Sequence, residues 1–181
     1  MQRKRFVILD RDGVINEDSD SFIKSPDEWQ PIPRSLEAIA LLNRHGFDVV
    51  VITNQSGIAR GLFDRATLED IHDKMRSLAA QKGGRIAAIY ICPHGPADHC
   101  ACRKPKPGLL EQFAREQKVR LSNIPLIGDA QRDIEAALAV GARPILVRTG
   151  KGEKTLAAHP HLTIPIFKDL YDAARSIVSE Q

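Results

Sequence analysis

Residues 6–14 read FVILDRDGV, four consecutive apolar residues, Phe6–Leu9, that run without a break into Asp10-Arg11-Asp12-Gly13. An unbroken apolar run of this length, as opposed to strict alternation, is the pattern of a strand covered on both faces. Four more runs repeat it, at Val49–Ile52, Ile86–Ile91, Ile124–Ile127 and Pro144–Val147. Amphipathic stretches lie between and after them, at Arg34–His45, Arg65–Gln81, Gly108–Lys118, Gln131–Val140 and Lys168–Ser179, and Gly46, Gly83-Gly84 and Gly141 close three of these. Strand and helix alternate throughout. That order predicts an α/β fold: a doubly wound, Rossmann-like, mostly parallel sheet with right-handed crossovers and helices on both faces. Lys151–Pro165 is the least regular stretch, expected as a loop before an edge strand or the final helix.

The totals narrow the classes. With 181 residues and 43% apolar content the chain suits one core, so residues 1–181 are expected to form a single domain. No segment reads as a signal peptide or membrane span, which predicts a soluble, cytoplasmic protein without a membrane partner. The formal charge is +3, and the basic clusters Arg3-Lys4-Arg5 and Arg103–Lys106 are short. No broad basic surface or aromatic stacking run is evident, so no nucleic-acid partner is expected and the first cluster reads as a solvated basic tail. A monomer is expected.

In such sheets ligands bind beyond the carboxyl ends of the strands, where the strand order reverses. Asp10-Arg11-Asp12-Gly13 follows the first strand, Thr53-Asn54-Gln55-Ser56-Gly57 the second, the cysteine-containing stretch and Arg103-Lys104-Pro105 the third, and Gly128-Asp129 with Asp133 the fourth. Each alone is compatible with turn chemistry or helix capping. Together they bring acids, a hydroxyl and a lysine to one rim, the parts of one reaction.

DRDGV, ITN, RKPKP and GDAQRD resemble the four motifs of the haloacid-dehalogenase-like (HAD) phosphatase superfamily, over nearly the whole chain. The resemblance implies a covalent mechanism with Asp10 as nucleophile and Asp12 as general acid and base, and these residue types suit those roles. Asp10, Asp129 and the backbone carbonyl of Asp12 would form a hard oxygen site for Mg²⁺, with Asp133 supporting it or orienting Lys104. Lys104, the Thr53 hydroxyl and the Asn54 backbone N–H would stabilise the phosphoryl oxygens. The intervals between motifs hold ordinary helices, one strand and a loop, so no cap domain is expected. Selectivity then falls to Glu17–Ile23, Ser56–Gly61 and the loop carrying Arg103.

All three cysteines lie in residues 92–102, as Cys92-x-His94-x5-Cys100-x-Cys102. An odd count argues against a disulfide framework, and Cys100 and Cys102 are too close in sequence to pair without strain. Four soft or borderline ligands instead suit a closed tetrahedral Zn²⁺ site, with His99 as an alternative to one of them. Such a site leaves no position open for substrate; it would fix the loop and so position Arg103 and Lys104.

Within the superfamily the resemblance implies a sugar bisphosphate phosphatase of lipopolysaccharide core synthesis, with Mg²⁺ and Zn²⁺ as cofactors. A histidinol-phosphate phosphatase, which has a similar zinc loop, is the alternative. A polynucleotide-end phosphatase and a non-catalytic zinc module are further readings. Carried over from the sugar phosphatases, Arg103 would recognise the sugar or its second phosphate, and Asp18, Ser19, Asp20 and Ser21 would line the substrate. Asn54, Gln55 and Ser56 belong to the same binding segment, and Arg60 adds a cation suited to a second phosphate.

Overall fold

The computed structural model describes residues 4–180. Six strands form one sheet: β1 (Arg5–Leu9), β2 (Phe47–Asn54), β3 (Ile86–Cys92), β4 (Pro125–Gly128), β5 (Arg143–Val147) and the two-residue edge β6 (Ile166–Phe167). Their order is β3-β2-β1-β4-β5-β6, and every pairing is parallel. The order reverses between β1 and β4, which makes that gap the switch point.

The apolar runs are explained by what lies on each face. Val7 and Leu9 of β1 and Val49 and Val51 of β2 point into one core, shared with α1 (Ser35–Arg44), α2 (Arg65–Gln81) and α6 (Leu170–Ser179). Phe6, Ile8, Val50 and Ile52 point into the other, against α3 (Gly108–Gln117) and α4 (Gln131–Ala139). Phe6 meets Phe113 of α3 edge-on, with ring centroids 5.1 Å apart. Each such buried side chain contributes about 1.5–3 kcal/mol, so a polar residue anywhere in Phe6–Leu9 would leave an uncompensated group in one layer or the other.

Two expectations need correction. Residues 151–165 are not all loop: Gly152–Ala158 form α5. Its seven residues are too few for periodicity to declare a helix, and tertiary bonds hold it, with Thr155 Oγ1 donating to the Asp129 carbonyl at 2.9 Å. The first basic cluster is not simply a solvated tail. Arg3 lies outside the described residues, but Arg5 opens β1, bonds the His45 carbonyl and sits 4.6 Å from the centroid of the Phe47 ring. Among the described residues, no helix is long and apolar enough to cross a membrane.

Candidate active site

β1 ends at Leu9, and the chain turns at once. Gly13 takes a left-handed φ of 81°, where a Cβ would stand 2.0 Å from Asp129 Oδ2. Only glycine fits that turn beside the second acid. The turn brings Asp10 and Asp12 to the β1–β4 gap, where the end of β4 supplies Asp129 and α4 supplies Asp133.

Lys104 stands in the middle, 2% exposed. Its Nζ donates to Asp133 Oδ1 at 2.7 Å and to the Ile52 carbonyl at 2.8 Å, and lies 3.1 Å from Asp10 Oδ1. Burial alone would lower its pKa, but the Asp10 and Asp133 charges outweigh burial and keep the ammonium charged. Asn54 fixes the Lys104 backbone from both sides, donating Nδ2 to its carbonyl at 3.1 Å and accepting its N–H at 3.0 Å. The second and third motifs are thus clamped together.

Asp10, Asp129 and Asp133 each bring a carboxylate oxygen within 4.8 Å of the others. Crowding and burial show in their acidity. Asp10 is pushed up to about 6 by burial and Asp133, against the opposing charges of Lys104 and Arg132. Asp129 is pushed up to about 8 by burial, Asp10 and Asp133. Asp133 is already engaged through both oxygens, by Lys104 Nζ and by the Ala130 N–H at 3.1 Å. Asp129 gives Oδ2 to the Lys151 N–H at 2.8 Å, while its buried Oδ1 has no partner. An orphaned carboxylate oxygen beside a second carboxylate is the donor set of a hard divalent cation, so the residues fit Mg²⁺ held by Asp10 and Asp129.

Asp12 differs from these acids. Burial pushes its pKa up, but the Arg11 charge and bonds from Asn16, Arg11 and Gln55 prevail and hold it below the ordinary value. Gln55 Nε2 bridges Asp12 Oδ2 and Thr53 Oγ1, at 3.0 Å each.

Cys92, His94, Cys100 and Cys102 form a second convergent group, and the cysteines are free thiols. Cys92 Sγ is 3.6 Å from Cys100 Sγ and 3.7 Å from His94 Nδ1, and 2.9 Å from Cys102 Sγ. Zinc–sulfur bonds of ~2.3 Å at tetrahedral angles separate ligands by about 3.8 Å; the spacings to Cys100 and His94 are close to that and the one to Cys102 is shorter, so it is the convergence of three thiols and an imidazole that suits zinc. His94 occupies the fourth corner, and His99 is not part of the group. The loop is tied to the second motif by Gln55 N–H donating to the Cys92 carbonyl at 2.7 Å and Ala59 N–H to the Pro93 carbonyl at 3.2 Å.

A cleft of about 210 Å³ opens over Asp12. Asp18, Ser19, Asp20, Asn54, Gln55, Ser56, Arg60 and Arg103 line it, which brings together the residues expected at the substrate. Ser21 does not line it: the side chain is exposed, the N–H bonds Ser19 Oγ and the carbonyl accepts from Lys24 Nζ. Arg60 packs over the Phe22 ring, 5.4 Å from its centroid. Arg132 and Lys151 also line the cleft, and sequence reasoning missed both. Arg132 lies inside GDAQRD, one residue before Asp133, and Lys151 inside LVRTGKG (146–152), at the start of the stretch expected as a loop; neither motif marks its cation as a cleft residue. Lys151 Nζ pairs with Asp18 Oδ2 at 3.2 Å, which gives one of the two carboxylates of residues 18–20 a partner.

A buried carboxylate just past the end of β1, a charged lysine beside it and a pair of acids suited to a divalent cation at the switch point together match the arrangement of a HAD-like hydrolase. A HAD-hydrolase-like family model matches residues 101–173. A D-glycero-β-D-manno-heptose-1,7-bisphosphate 7-phosphatase of Pseudomonas putida is 52% identical over 96% of this chain and 99% of its own. One of Bordetella bronchiseptica is 58% identical over 84% and 86%. A crystal structure of D,D-heptose 1,7-bisphosphate phosphatase from B. bronchiseptica, complexed with magnesium and phosphate, superposes with a TM-score of 0.95 at 52% identity, covering 98% of this chain and 99% of that one. The chain belongs to the D-glycero-D-manno-heptose-1,7-bisphosphate 7-phosphatase family of HAD-like phosphatases.

Proposed function

We propose that the protein removes the 7-phosphate of D-glycero-β-D-manno-heptose 1,7-bisphosphate through an aspartyl-phosphate on Asp10, a step toward the heptose of the lipopolysaccharide core. Residues 1–181 act in this reading as one catalytic domain, a cytoplasmic monomer without a nucleic-acid or membrane partner. The observation that carries the substrate is the cleft: Arg60, Arg103, Arg132 and Lys151 surround one mouth above Asp12. With Lys151 paired to Asp18, three arginines remain, more than a single phosphate bound below beside Lys104 requires, and they suit a second phosphate on the same sugar.

Asp10 attacks phosphorus in line, and the bond to the C7 oxygen breaks. The phosphate dianion, once bound, counters the donors that keep Asp12 acidic at rest, so that Asp12 takes up a proton with the substrate; it gives that proton to the departing oxygen, then takes one from the water that attacks the phosphoryl group, and inorganic phosphate leaves and Asp10 is restored. Lys104 holds a phosphoryl oxygen by its charge, and the Thr53 hydroxyl and Asn54 N–H donate to others. Magnesium held by Asp10, Asp129 and the Asp12 carbonyl screens the repulsion between carboxylate and phosphate. Cys92, His94, Cys100 and Cys102 would hold zinc, which when bound would fix a loop poor in apolar side chains, and with it Arg103 and Lys104.

Phosphate release in Mg²⁺ from the heptose bisphosphate, histidinol phosphate and a 3′-phosphorylated oligonucleotide tests the assignment. The bisphosphate is expected to give the highest kcat/KM. Histidinol phosphate as the better substrate overturns the substrate and leaves the mechanism standing.

A further inference from the structure

Two buried side chains beside the site have no part in the steps above. Arg11 is 0% exposed and His72, on α2, 1% exposed. Arg11 separates the two catalytic aspartates in sequence, yet its side chain is directed away from the cleft. The guanidinium donates to Asp12 Oδ1 through Nε at 3.0 Å and Nη2 at 2.7 Å, and Nη1 stands 3.2 Å from His72 Nε2. A guanidinium has no lone pair to offer, so His72 Nε2 is the acceptor and the ring is neutral, with its proton on Nδ1.

This network makes the two oxygens of Asp12 unequal. Oδ1 takes both Arg11 donors and Asn16 Nδ2 at 2.9 Å, whereas Oδ2 takes one bond, from Gln55 Nε2. Oδ1 is saturated, and Oδ2 keeps a free lone pair. A fork on a flexible three-methylene stem holds such a geometry better when its third arm is also anchored, because an unpaired buried charged donor is drawn toward any other acceptor.

We propose that His72 and Arg11 are positioning residues for the acid/base step: His72 anchors the Arg11 fork from α2, and the fork aims Asp12 Oδ2 at the leaving oxygen and then at water. The proposal rests on the role given above to Asp12. It marks as functional a histidine that periodicity alone would assign to the buried face of a helix.

The test compares an alkyl phosphate, whose leaving oxygen needs a proton, with p-nitrophenyl phosphate, whose phenolate departs without one. Wild-type turnover of the heptose bisphosphate, or of whichever alkyl phosphate in the panel is hydrolysed, tests the proposed function separately. For His72→Leu, kcat/KM on the alkyl ester is expected to fall about 10–100-fold while that on the aryl ester changes less than about three-fold, because kcat/KM reports the steps up to leaving-group departure, where only the alkoxide needs a proton; the later water step, common to both esters, shows in kcat. His72→Gln, whose Oε1 can accept from Nη1, recovers most of the loss. Arg11→Lys, which keeps the charge and loses the fork, reproduces the ester-selective loss and serves if His72→Leu folds poorly. Equal losses on both esters, no loss on either, or a His72→Gln as impaired as His72→Leu overturns the proposal.

Discussion

Lys104 Nζ lies 2.7 Å from Asp133 Oδ1, a contact made wholly in the interior between the third and fourth motifs. Asp133 thereby aims the ammonium at Asp10, 3.1 Å away, and, with both oxygens engaged, leaves Asp10 and Asp129 as the acids free to take a divalent cation under the proposed function. Asp133→Asn keeps the shape and removes the charge. It is expected to lower kcat about 10–100-fold through a misplaced Lys104, and to cost about 1–3 kcal/mol in urea unfolding. Unchanged kcat would assign Asp133 to capping of α4 alone.

Gly150 has a φ of 58°, and a Cβ there would stand 2.3 Å from Asp129 Oδ2. The adjacent Lys151 N–H bonds that same oxygen. Gly150→Ala should displace Asp129 and raise the Mg²⁺ concentration for half-maximal activity about ten-fold, a loss of about 1.4 kcal/mol in affinity. Calorimetric titration of the protein with Mg²⁺ alone reads the same change without turnover.

The loop sulfurs should hold about one zinc per chain, and Cys100→Ala should release it. With Mg²⁺ kept in excess, chelation of zinc is expected to reduce activity by loosening Arg103 and Lys104, and added Zn²⁺ to restore it. Full activity in a zinc-free, Mg²⁺-loaded protein contradicts a positioning role for the loop.

His72 also sets an acid limit on stability. Burial, with the charges of Arg11 and Arg76, holds its pKa down to about 3 against an ordinary 6.5, with Asp12 opposing. Between those values the unfolded chain carries a proton that the native ring does not, so stability falls as pH drops from 6.5 toward 3, at up to about 1.4 kcal/mol per pH unit. His72→Gln should flatten this part of a stability–pH curve measured by urea unfolding. An unchanged slope means that other groups carry it.

The sequence made some levels legible and left others dark for physical reasons. The runs at residues 6–9 and 49–52 revealed strands because both faces are covered, as Val7 and Phe6, pointing into opposite cores, show. The convergence of the acids with Lys104, and of the three cysteines with His94, was legible because residue type and spacing at strand ends carry it. Helix α5 was missed because its hold is Thr155 on the Asp129 carbonyl, a contact between segments 26 residues apart. Arg132, Lys151 and the Arg11–His72 pair escaped for the same reason. An arginine or histidine on a helix has no local mark that tells a solvated or packing side chain from one that meets a distant partner.

Acid-quenching the enzyme during turnover and mapping its peptides by mass spectrometry tests the chemistry most directly. A phosphoryl group on Asp10, absent from Asp12 and lost together with turnover in Asp10→Asn, is the expected result. Turnover without any adduct at Asp10, and an Asp10→Asn protein as active as the wild type, would contradict it.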